Sequence, residues 1–159
     1  GAALGPIREA FGHAVFESDG SLSRPKLRAL ILRDAEAKQR LESIVHPLVR
    51  REIEQRINMA TAPYVLVVIP LLVETAAYDD LLDRVLVVDC SEETQVRRAL
   101  ARGGWSEMDI RAMLTRQASR MNRLARADDV VDNEGDESGL LRQVVALNEK
   151  YHQLTQQKL

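Results

Sequence analysis

Two continuously apolar segments limit the folds open to this chain. The stretch YVLVVI at 64–69 and the stretch VLVV at 85–88 carry apolar side chains without the polar alternation of a half-exposed strand. Such strands are typical of the interior of a parallel sheet, where helices cover both faces. The pattern therefore predicts two central strands of an α/β sheet, with Pro70 and Glu74 following the first strand at the end where ligands bind in such sheets.

The remaining periodicity predicts helices around this sheet. Apolar side chains at helical spacing predict short helices over residues 3–11 and 26–33, and a long one follows as far as Ala60. Pro47 should break or kink the long helix, so His46 is expected near a junction of two helices. The front of the chain is therefore predicted to be entirely helical.

The back of the chain alternates strands with helices. Ser91 can cap one helix, Ser106 can begin another that runs to about Arg126, the segment ADDVVDN forms a third strand, and an amphipathic helix ends the chain. This order predicts a parallel sheet with right-handed crossovers. Three strands are too few to give the central strands neighbours on both sides, which indicates that part of the sheet is missing.

Composition excludes several classes of function. The 22 Lys and Arg are balanced by 24 Asp and Glu, with a net charge of -2, which argues against a general nucleic-acid binder. One cysteine, Cys90, rules out an internal disulfide framework and favours a reducing, cytoplasmic setting. No apolar run approaches the length of a membrane span, so no membrane partner is expected.

Arginine is concentrated in one part of this net-negative chain. Between Thr94 and Arg126 the only acidic residues are Glu107 and Asp109. The arginines there are Arg97, Arg98, Arg102, Arg111, Arg116, Arg120, Arg123 and Arg126. The guanidinium fork can grip two phosphate oxygens at once, so two or three of these side chains would be enough for a phosphate site. A solvated helix face remains the alternative.

Other polar residues leave alternatives open. Glu74 could cap a helix, support a neighbouring group or contact a substrate, and Asp89 is read as a turn or helix-entry residue rather than a metal ligand. His46 could pack, cap or bind a ligand. No Cys and His cluster has metal-ligand spacing, so no protein metal site is predicted. A phosphate loop would need Gly-Lys followed by Ser or Thr, and none of the lysines, at 26, 38, 150 and 158, follows a glycine.

Five motifs in order resemble those of the dephospho-coenzyme A kinases, the family that completes coenzyme A synthesis. They are FGHAVFESDGSLSRPKLRALIL at 11–32, LESIVHPLVRREI at 41–53, YVLVVIPLLVE at 64–74, DRVLVVDCSEETQVRRALAR at 83–102, and QASRMNRLARADDVVDNEG at 117–135. Each motif is weak alone, but together they cover nearly the whole chain. The resemblance implies a kinase that phosphorylates the ribose 3′-hydroxyl of dephospho-coenzyme A with ATP.

The resemblance also implies a particular architecture. The fold expected is a P-loop-kinase-like parallel sheet with three of five strands present, in a single α/β domain over residues 1–159. Residues 1–62 would form a helical substrate-binding region, 63–90 and 127–159 the core, and 91–126 a lid. Family members begin with a strand, a phosphate loop, a helix and a strand bearing an Asp. That N-terminal unit is expected to be missing here, so the chain is expected to be inactive or nearly so.

The family resemblance assigns expected roles to residues that are present. Arg98, Arg102 and Arg120 would contact the nucleotide or the phosphoryl group in transfer, and Asn133 and Gly135 would flank the adenine. The residues expected to bind dephospho-coenzyme A are His46, Arg50, Pro70, Leu71, Leu72 and Glu74. ATP and Mg²⁺ are the expected cofactors, with their principal ligands in the missing segment. Two alternatives remain: a non-catalytic relative that binds a nucleotide or a partner, and another nucleoside or nucleotide kinase.

Overall fold

The computed structural model describes residues 1–75 and 77–157. The chain divides into two compact units, Gly1–Ala60 and Thr61–Leu159. Each unit is taken in turn. Within the described residues, no helix is both long enough and apolar enough to cross a membrane.

The first unit is helical, as predicted. It contains α1 (Leu4–Phe11), a 3₁₀ turn (Gly12–Val15), α2 (Arg24–Arg33) and α3 (Ala35–Met59). The core of this unit is a cluster of buried apolar side chains, against which partly buried residues of α3 pack. The buried members are Ile7, Val15, Phe16 and Leu27. Burial of these side chains is the main stabilising contribution available to so small a unit.

The long helix α3 runs through Pro47 without a break, so the predicted junction at His46 is wrong. Asp34 caps the start of α3, where its carboxylate accepts hydrogen bonds from the amides of Glu36 at 2.9 Å and Ala37 at 3.0 Å. Proline removes one N–H donor, but its fixed φ is compatible with a helix, and the hydrogen bonds on either side hold the helix together. His46 therefore lies inside a continuous helix and is exposed.

The second unit is an α/β structure. Its elements are α4 (Leu72–Thr75), a 3₁₀ turn (Asp79–Leu81), β1 (Leu86–Asp89), α5 (Glu92–Arg102), α6 (Glu107–Leu114), α7 (Arg120–Arg126), β2 (Asp129–Asp132) and α8 (Glu137–Gln156). The two strands pair in parallel, with Leu86 opposite Asp129 and Asp89 opposite Asp132. The predicted α/β class, with a small parallel sheet flanked by helices, is confirmed.

The predicted strand at 64–69 is not part of this sheet, and that prediction is wrong for the structure described. The sheet consists of β1 and β2 alone within the described residues. A strand exists only where a neighbour supplies a hydrogen-bond ladder, and 64–69 has none there. Several of its apolar side chains consequently stay open to solvent: Val68 is 91% exposed and Leu66 64% exposed.

The single helix predicted from Ser106 to about Arg126 is two helices, α6 and α7. Ser106 caps α6 in a reciprocal arrangement with Asp109, as the sequence indicated. A second cap interrupts the segment at Ser119, whose extended backbone and hydroxyl, accepting from the Asn122 amide at 3.1 Å, start a new helix. Arg116 therefore does not share a helix face with the arginines of α7.

The helix α8 fixes β2 in place along its outer side. The side-chain amide of Gln143 donates to the Asp132 carbonyl at 2.8 Å and its oxygen accepts from the Asp132 amide at 2.9 Å. At the start of β2 the buried Asp129 accepts from Arg84 at 2.8 Å, from Lys150 and from Tyr151 at 3.1 Å. These contacts hold both the first and the last residue of β2 in place.

Candidate functional site

The candidate site lies where β1 and β2 end. Asp89 and Asp132 are opposite one another at these carboxyl ends, and the Asn133 amide donates to the Asp89 carbonyl at 2.7 Å. In open α/β sheets, ligands bind beyond the carboxyl ends of the strands, where the following loops and helix starts provide polar groups. The residues that follow β1 and β2 are therefore the first candidates for ligand contacts.

Arg120 binds Asp89 at the end of β1. Arg120 Nε donates to both carboxylate oxygens at 3.0 Å, and Nη2 donates to Oδ2 at 2.6 Å. The hydrogen bonds from Arg120 hold the pKa of Asp89 below its usual range and raise the pKa of Arg120. Asp89 thus binds an arginine that the sequence singled out for phosphate.

Arg98 binds the loop that follows β2. Its Nη1 donates to the Asn133 carbonyl at 2.6 Å, and its Nη2 reaches the Gly135 carbonyl at 3.5 Å. Arg98 is on α5, the helix that follows β1, so this side chain joins the two strand ends across the site. The structure thus brings together three residues that the sequence assigned to one nucleotide site: Arg98, Asn133 and Gly135.

Glu134, between those two loop residues, binds the first turn of α5. Its carboxylate accepts from the Ser91 amide at 2.6 Å, from the Ser91 hydroxyl at 3.0 Å, and from the Thr94 hydroxyl. These bonds, that from the Ser91 amide foremost, lower the pKa of Glu134 to about 2. Sequence reasoning missed Glu134, because its partners lie some 40 positions away and no spacing rule connects them.

Glu74 binds the turn that precedes α7. Glu74 Oε1 accepts from the Ala118 amide at 2.7 Å, and Arg123 Nη1 donates to the Ala118 carbonyl at 2.5 Å. Nearby, Arg126 and Asp79 form an ion pair of 2.8 Å. Of the alternatives left open for Glu74, the structure shows the supporting contact: the carboxylate holds a backbone turn next to the arginine helix α7.

The residues just before Glu74 form a tight turn. Leu71 has φ of 59°, in the left-handed region that side chains other than glycine rarely adopt. Its carbonyl accepts from the Glu74 amide at 3.2 Å, which begins the short helix α4, and its side chain is 52% exposed. Pro70, Leu71 and Leu72 therefore bring the chain to Glu74 through a constrained backbone rather than through a regular strand end.

Arg102 is placed differently from Arg98 and Arg120. It is the last residue of α5 and exposed, and no described residue forms an ion pair or a side-chain hydrogen bond with it. The structure therefore gathers Arg98 and Arg120 at the strand ends but leaves Arg102 in solvent.

The remaining candidates, His46 and Arg50, belong to the first unit. They lie four positions apart on α3, one helical turn from each other. His46 is exposed, whereas Arg50 is half-buried and donates to Glu54 at 2.8 Å. Both lie on α3, which packs on the core of its unit through Leu41, Ile44 and Val45.

A protein metal centre is not found in the part of the chain that is described: it contains no group of three or more His, Cys, Asp and Glu that could hold an ion. Mg²⁺ in kinases is commonly held by one or two carboxylates together with substrate phosphates, so such a group is not required for nucleotide chemistry.

Comparison with protein families gives one match that covers most of the chain. Residues 1–138 match the family model described as dephospho-CoA kinase. The chain is similar to the dephospho-CoA kinase of Nitrosospira multiformis, with 46% identity over 156 residues, which cover 98% of this chain and 78% of that protein. It is similar to the dephospho-CoA kinase of Thiobacillus denitrificans, with 47% identity over 157 residues, covering 99% of this chain and 78% of the relative.

Two solved structures are similar to the chain in fold. The protein TT1252 of Thermus thermophilus has a TM-score of 0.75 and 32% identity, over 94% of this chain and 81% of that one. The dephospho-CoA kinase of Campylobacter jejuni has a TM-score of 0.68 over 96% of this chain and 77% of that one. At 21% identity, this second likeness is evidence for the fold alone.

Proposed function

The chain belongs to the dephospho-CoA kinase family, and we propose that it binds ATP and dephospho-coenzyme A for transfer of the γ-phosphoryl group to the ribose 3′-hydroxyl. The observation that carries this proposal is the placement of Arg98 and Arg120. Helices α5 and α7 bring these two guanidinium groups to the adjacent ends of β1 and β2. An anionic nucleotide at that edge would meet both.

Phosphoryl transfer is consistent with the residue types found there. The transferred group carries its charge on peripheral oxygens, so catalysis consists mainly of positioning and charge neutralisation. Arginine supplies a permanent positive charge and a planar pair of donors for phosphate oxygens. In this proposal Arg120 contacts phosphate, Arg98 holds the loop that flanks the adenine at Asn133 and Gly135, and Arg102 moves in from solvent.

The segment that contains α5, α6 and α7 acts as the lid over the nucleotide. Its ends are fastened near the strand ends, by Arg98 on one side and by the contact of Glu74 with Ala118 on the other. Between those ends, Gly103 and Gly104 both have positive φ, at 75° and 86°. Glycine adopts that backbone without strain, so this is the natural place for the segment to bend. Closure would exclude water from the reacting groups.

Each compact unit, taken by itself, contains proposed contacts for the acceptor. Pro70, Leu71, Leu72 and Glu74 would form the floor on which the acceptor ribose rests, with Glu74 kept in place by the Ala118 amide. His46 and Arg50 would contact dephospho-coenzyme A from α3, where their spacing of one turn suits a charged, extended ligand.

The nucleotide would bring Mg²⁺ with it, and the metal would neutralise charge between the β- and γ-phosphates. The described residues offer Arg side chains suited to phosphate, but the 159-residue sequence contains no Gly-Lys-Ser/Thr loop. We therefore propose that this chain, taken alone, turns over slowly or not at all, since the groups of such a site act as a unit.

Binding and turnover, measured separately, test this function. Calorimetric titration of the 159-residue chain should detect dephospho-coenzyme A and ATP. Arg120→Gln should weaken ATP binding about three- to tenfold, the scale of one typical hydrogen bond, because Arg120 must first leave Asp89. Arg111→Gln is the matched control, because Arg111 pairs with Glu107 on an exposed helix face. Preference for a simple nucleoside monophosphate over dephospho-coenzyme A would overturn the proposed acceptor, and normal turnover would overturn the proposed inactivity.

A second candidate function is nucleotide binding without catalysis. The observation in its favour is the arginine site at the strand ends, which is suited to binding phosphate whether or not transfer follows. Addition of a separately expressed phosphate-loop segment from a relative distinguishes the two: recovery of phosphoryl transfer supports the kinase, and persistent ATP binding without any transfer supports the binding role.

A further inference from the structure

The loop 133–135 is attached to a single helix at each of its three residues. Arg98 of α5 holds the carbonyls of Asn133 and Gly135, and Ser91 and Thr94, at the start of that helix, hold the carboxylate of Glu134. These contacts join segments about 40 positions apart in sequence. At Asn133, whose amide donates to the Asp89 carbonyl, the loop is also bound to the end of β1, so it connects α5 to the sheet.

The Glu134 carboxylate occupies a place that would otherwise attract an anion. The first turn of a helix presents unpaired N–H groups and the positive end of the helix dipole. At α5 the Ser91 hydroxyl accepts from the Thr94 amide at 3.2 Å, and Glu134 takes the Ser91 amide and both hydroxyl protons. Because the protein's own carboxylate fills this position, the phosphates of a nucleotide would be held by arginines instead.

We propose that Glu134 is a positioning residue of the nucleotide site. By joining loop 133–135 to the start of α5, it holds the base-binding loop and the helix that carries Arg98 in one relative orientation. This inference rests on the proposed nucleotide site. Glu134 itself touches neither the base nor the phosphates. Its effect is transmitted through the positions of Asn133, Gly135 and Arg98.

The test separates recognition of the base from recognition of the phosphates. Dissociation constants for ATP and for inorganic tripolyphosphate are measured by calorimetry for the 159-residue chain, for Glu134→Gln and for Glu134→Asp. Glu137→Gln is the matched control, since it removes a carboxylate three positions along that has no hydrogen-bond partner among the described residues. If the competent loop becomes a minor conformer, ATP affinity in Glu134→Gln falls in proportion, by about three- to tenfold.

The expected pattern is specific to a positioning role. Glu134→Gln should lose its preference for ATP over tripolyphosphate. Removing a negative charge from the protein should not weaken the binding of tripolyphosphate, a polyanion without a base, whereas ATP binding should weaken. Glu134→Asp should recover part of the preference, and Glu137→Gln should keep all of it. Amide exchange at Ser91, measured by NMR, should accelerate in Glu134→Gln, which shows that the contact with α5 has opened.

Each other outcome overturns a different statement. If the unmodified chain prefers ATP and Glu134→Gln keeps that preference although Ser91 exchange accelerates, the contact exists but does not position the loop, and our inference is wrong. If amide exchange at Ser91 is unchanged, the contact of Glu134 with the start of α5 is refuted. If the unmodified chain does not distinguish ATP from tripolyphosphate, the base-binding role of the loop fails, and the proposed nucleotide site fails with it.

Discussion

Arg120 and Asp89 form a bidentate ion pair, in which Nε contacts both carboxylate oxygens at 3.0 Å and Nη2 contacts one at 2.6 Å. This is the geometry with which a guanidinium group also grips phosphate. The Asp89 side chain is 11% exposed, and that of Arg120 is 49% exposed. Arg120 can therefore leave the pair toward solvent, while Asp89 stays at the end of β1.

Asp89→Asn should increase the affinity for tripolyphosphate. The carboxylate competes with phosphate for Arg120, and the neutral amide competes less, so binding should tighten about two- to fivefold, the usual scale of an exposed ion pair. Calorimetric titration at low salt measures this change. Glu137→Gln is the control for net charge, because it removes a carboxylate that pairs with none of the described residues. Weaker binding in Asp89→Asn would mean that Asp89 orients Arg120 for phosphate rather than competing with it.

The second unit should lose stability in acid through Asp129. Arg84, followed by Lys150 and Tyr151, lowers the pKa of this buried carboxyl to about 2. Because the folded-state pKa lies below the unfolded value, the stabilisation is present above about pH 4 and is lost as the pH falls through about 2. Since Arg84 and Lys150 are partly exposed, we expect this contribution to be about 1–2 kcal/mol.

Urea unfolding at pH 6 and at pH 3 measures the acid effect. Asp129→Asn should be less stable than the unmodified chain at pH 6, and the difference should shrink at pH 3. Glu149→Gln, on an exposed position of α8, should leave the pH dependence unchanged. A constant difference between the Asp129→Asn variant and the unmodified chain across this range would show that Asp129 contributes through packing rather than through its charge.

Arg98 and Arg102 should respond differently to replacement by alanine. Arg98 holds two carbonyls of loop 133–135, whereas Arg102 has no ion pair in the described part of the chain. Arg98→Ala should lower the melting temperature by about 3–6 °C, because backbone acceptors lose their donor, and Arg102→Ala should change it by about 1 °C or less. Both should weaken ATP binding, Arg98→Ala through the loop that flanks the adenine and Arg102→Ala through its proposed contact with the nucleotide. An unchanged ATP affinity in Arg102→Ala would remove Arg102 from the site.

Glu74 should control the turn before α7. Its carboxylate accepts the Ala118 amide at 2.7 Å, so Glu74→Ala should accelerate amide exchange at Ala118 by about fivefold, the equivalent of one hydrogen bond. The Gln117 amide is an internal control, because it donates to the Leu114 carbonyl and not to Glu74. Glu74→Gln keeps an acceptor and should stay close to the unmodified rate. Equal acceleration at Gln117 and Ala118 would indicate general loosening of the turn.

Local signals in the sequence predicted local structure well. Ser91 and Ser106 were recognised as helix caps because the residues that complete a cap lie within one turn. The sequence does not predict the second cap, at Ser119, because the arginine-rich segment around it has a high helix propensity throughout. The break predicted at Pro47 does not occur, because one missing donor does not outweigh the hydrogen bonds of a 25-residue helix.

Signals that depend on distant partners were weaker. The composition of 64–69 is that of a strand, but a strand is completed only by neighbours, and within the described residues none pairs with this segment. The arginine cluster predicted a phosphate site, yet it could not say that Arg120 would face Asp89 or that Arg98 would face backbone carbonyls. Glu134 had no signal at all, because its contact with Ser91 spans 43 positions.

The contact of Gln143 with Asp132 protects the carboxyl end of β2 from further pairing. Both backbone groups of Asp132 are satisfied by one side-chain amide, which takes the place of a residue of a further strand. A strand that paired with β2 at this position would first have to displace Gln143. This side chain thus lowers the risk of edge-to-edge aggregation at the carboxyl end of β2.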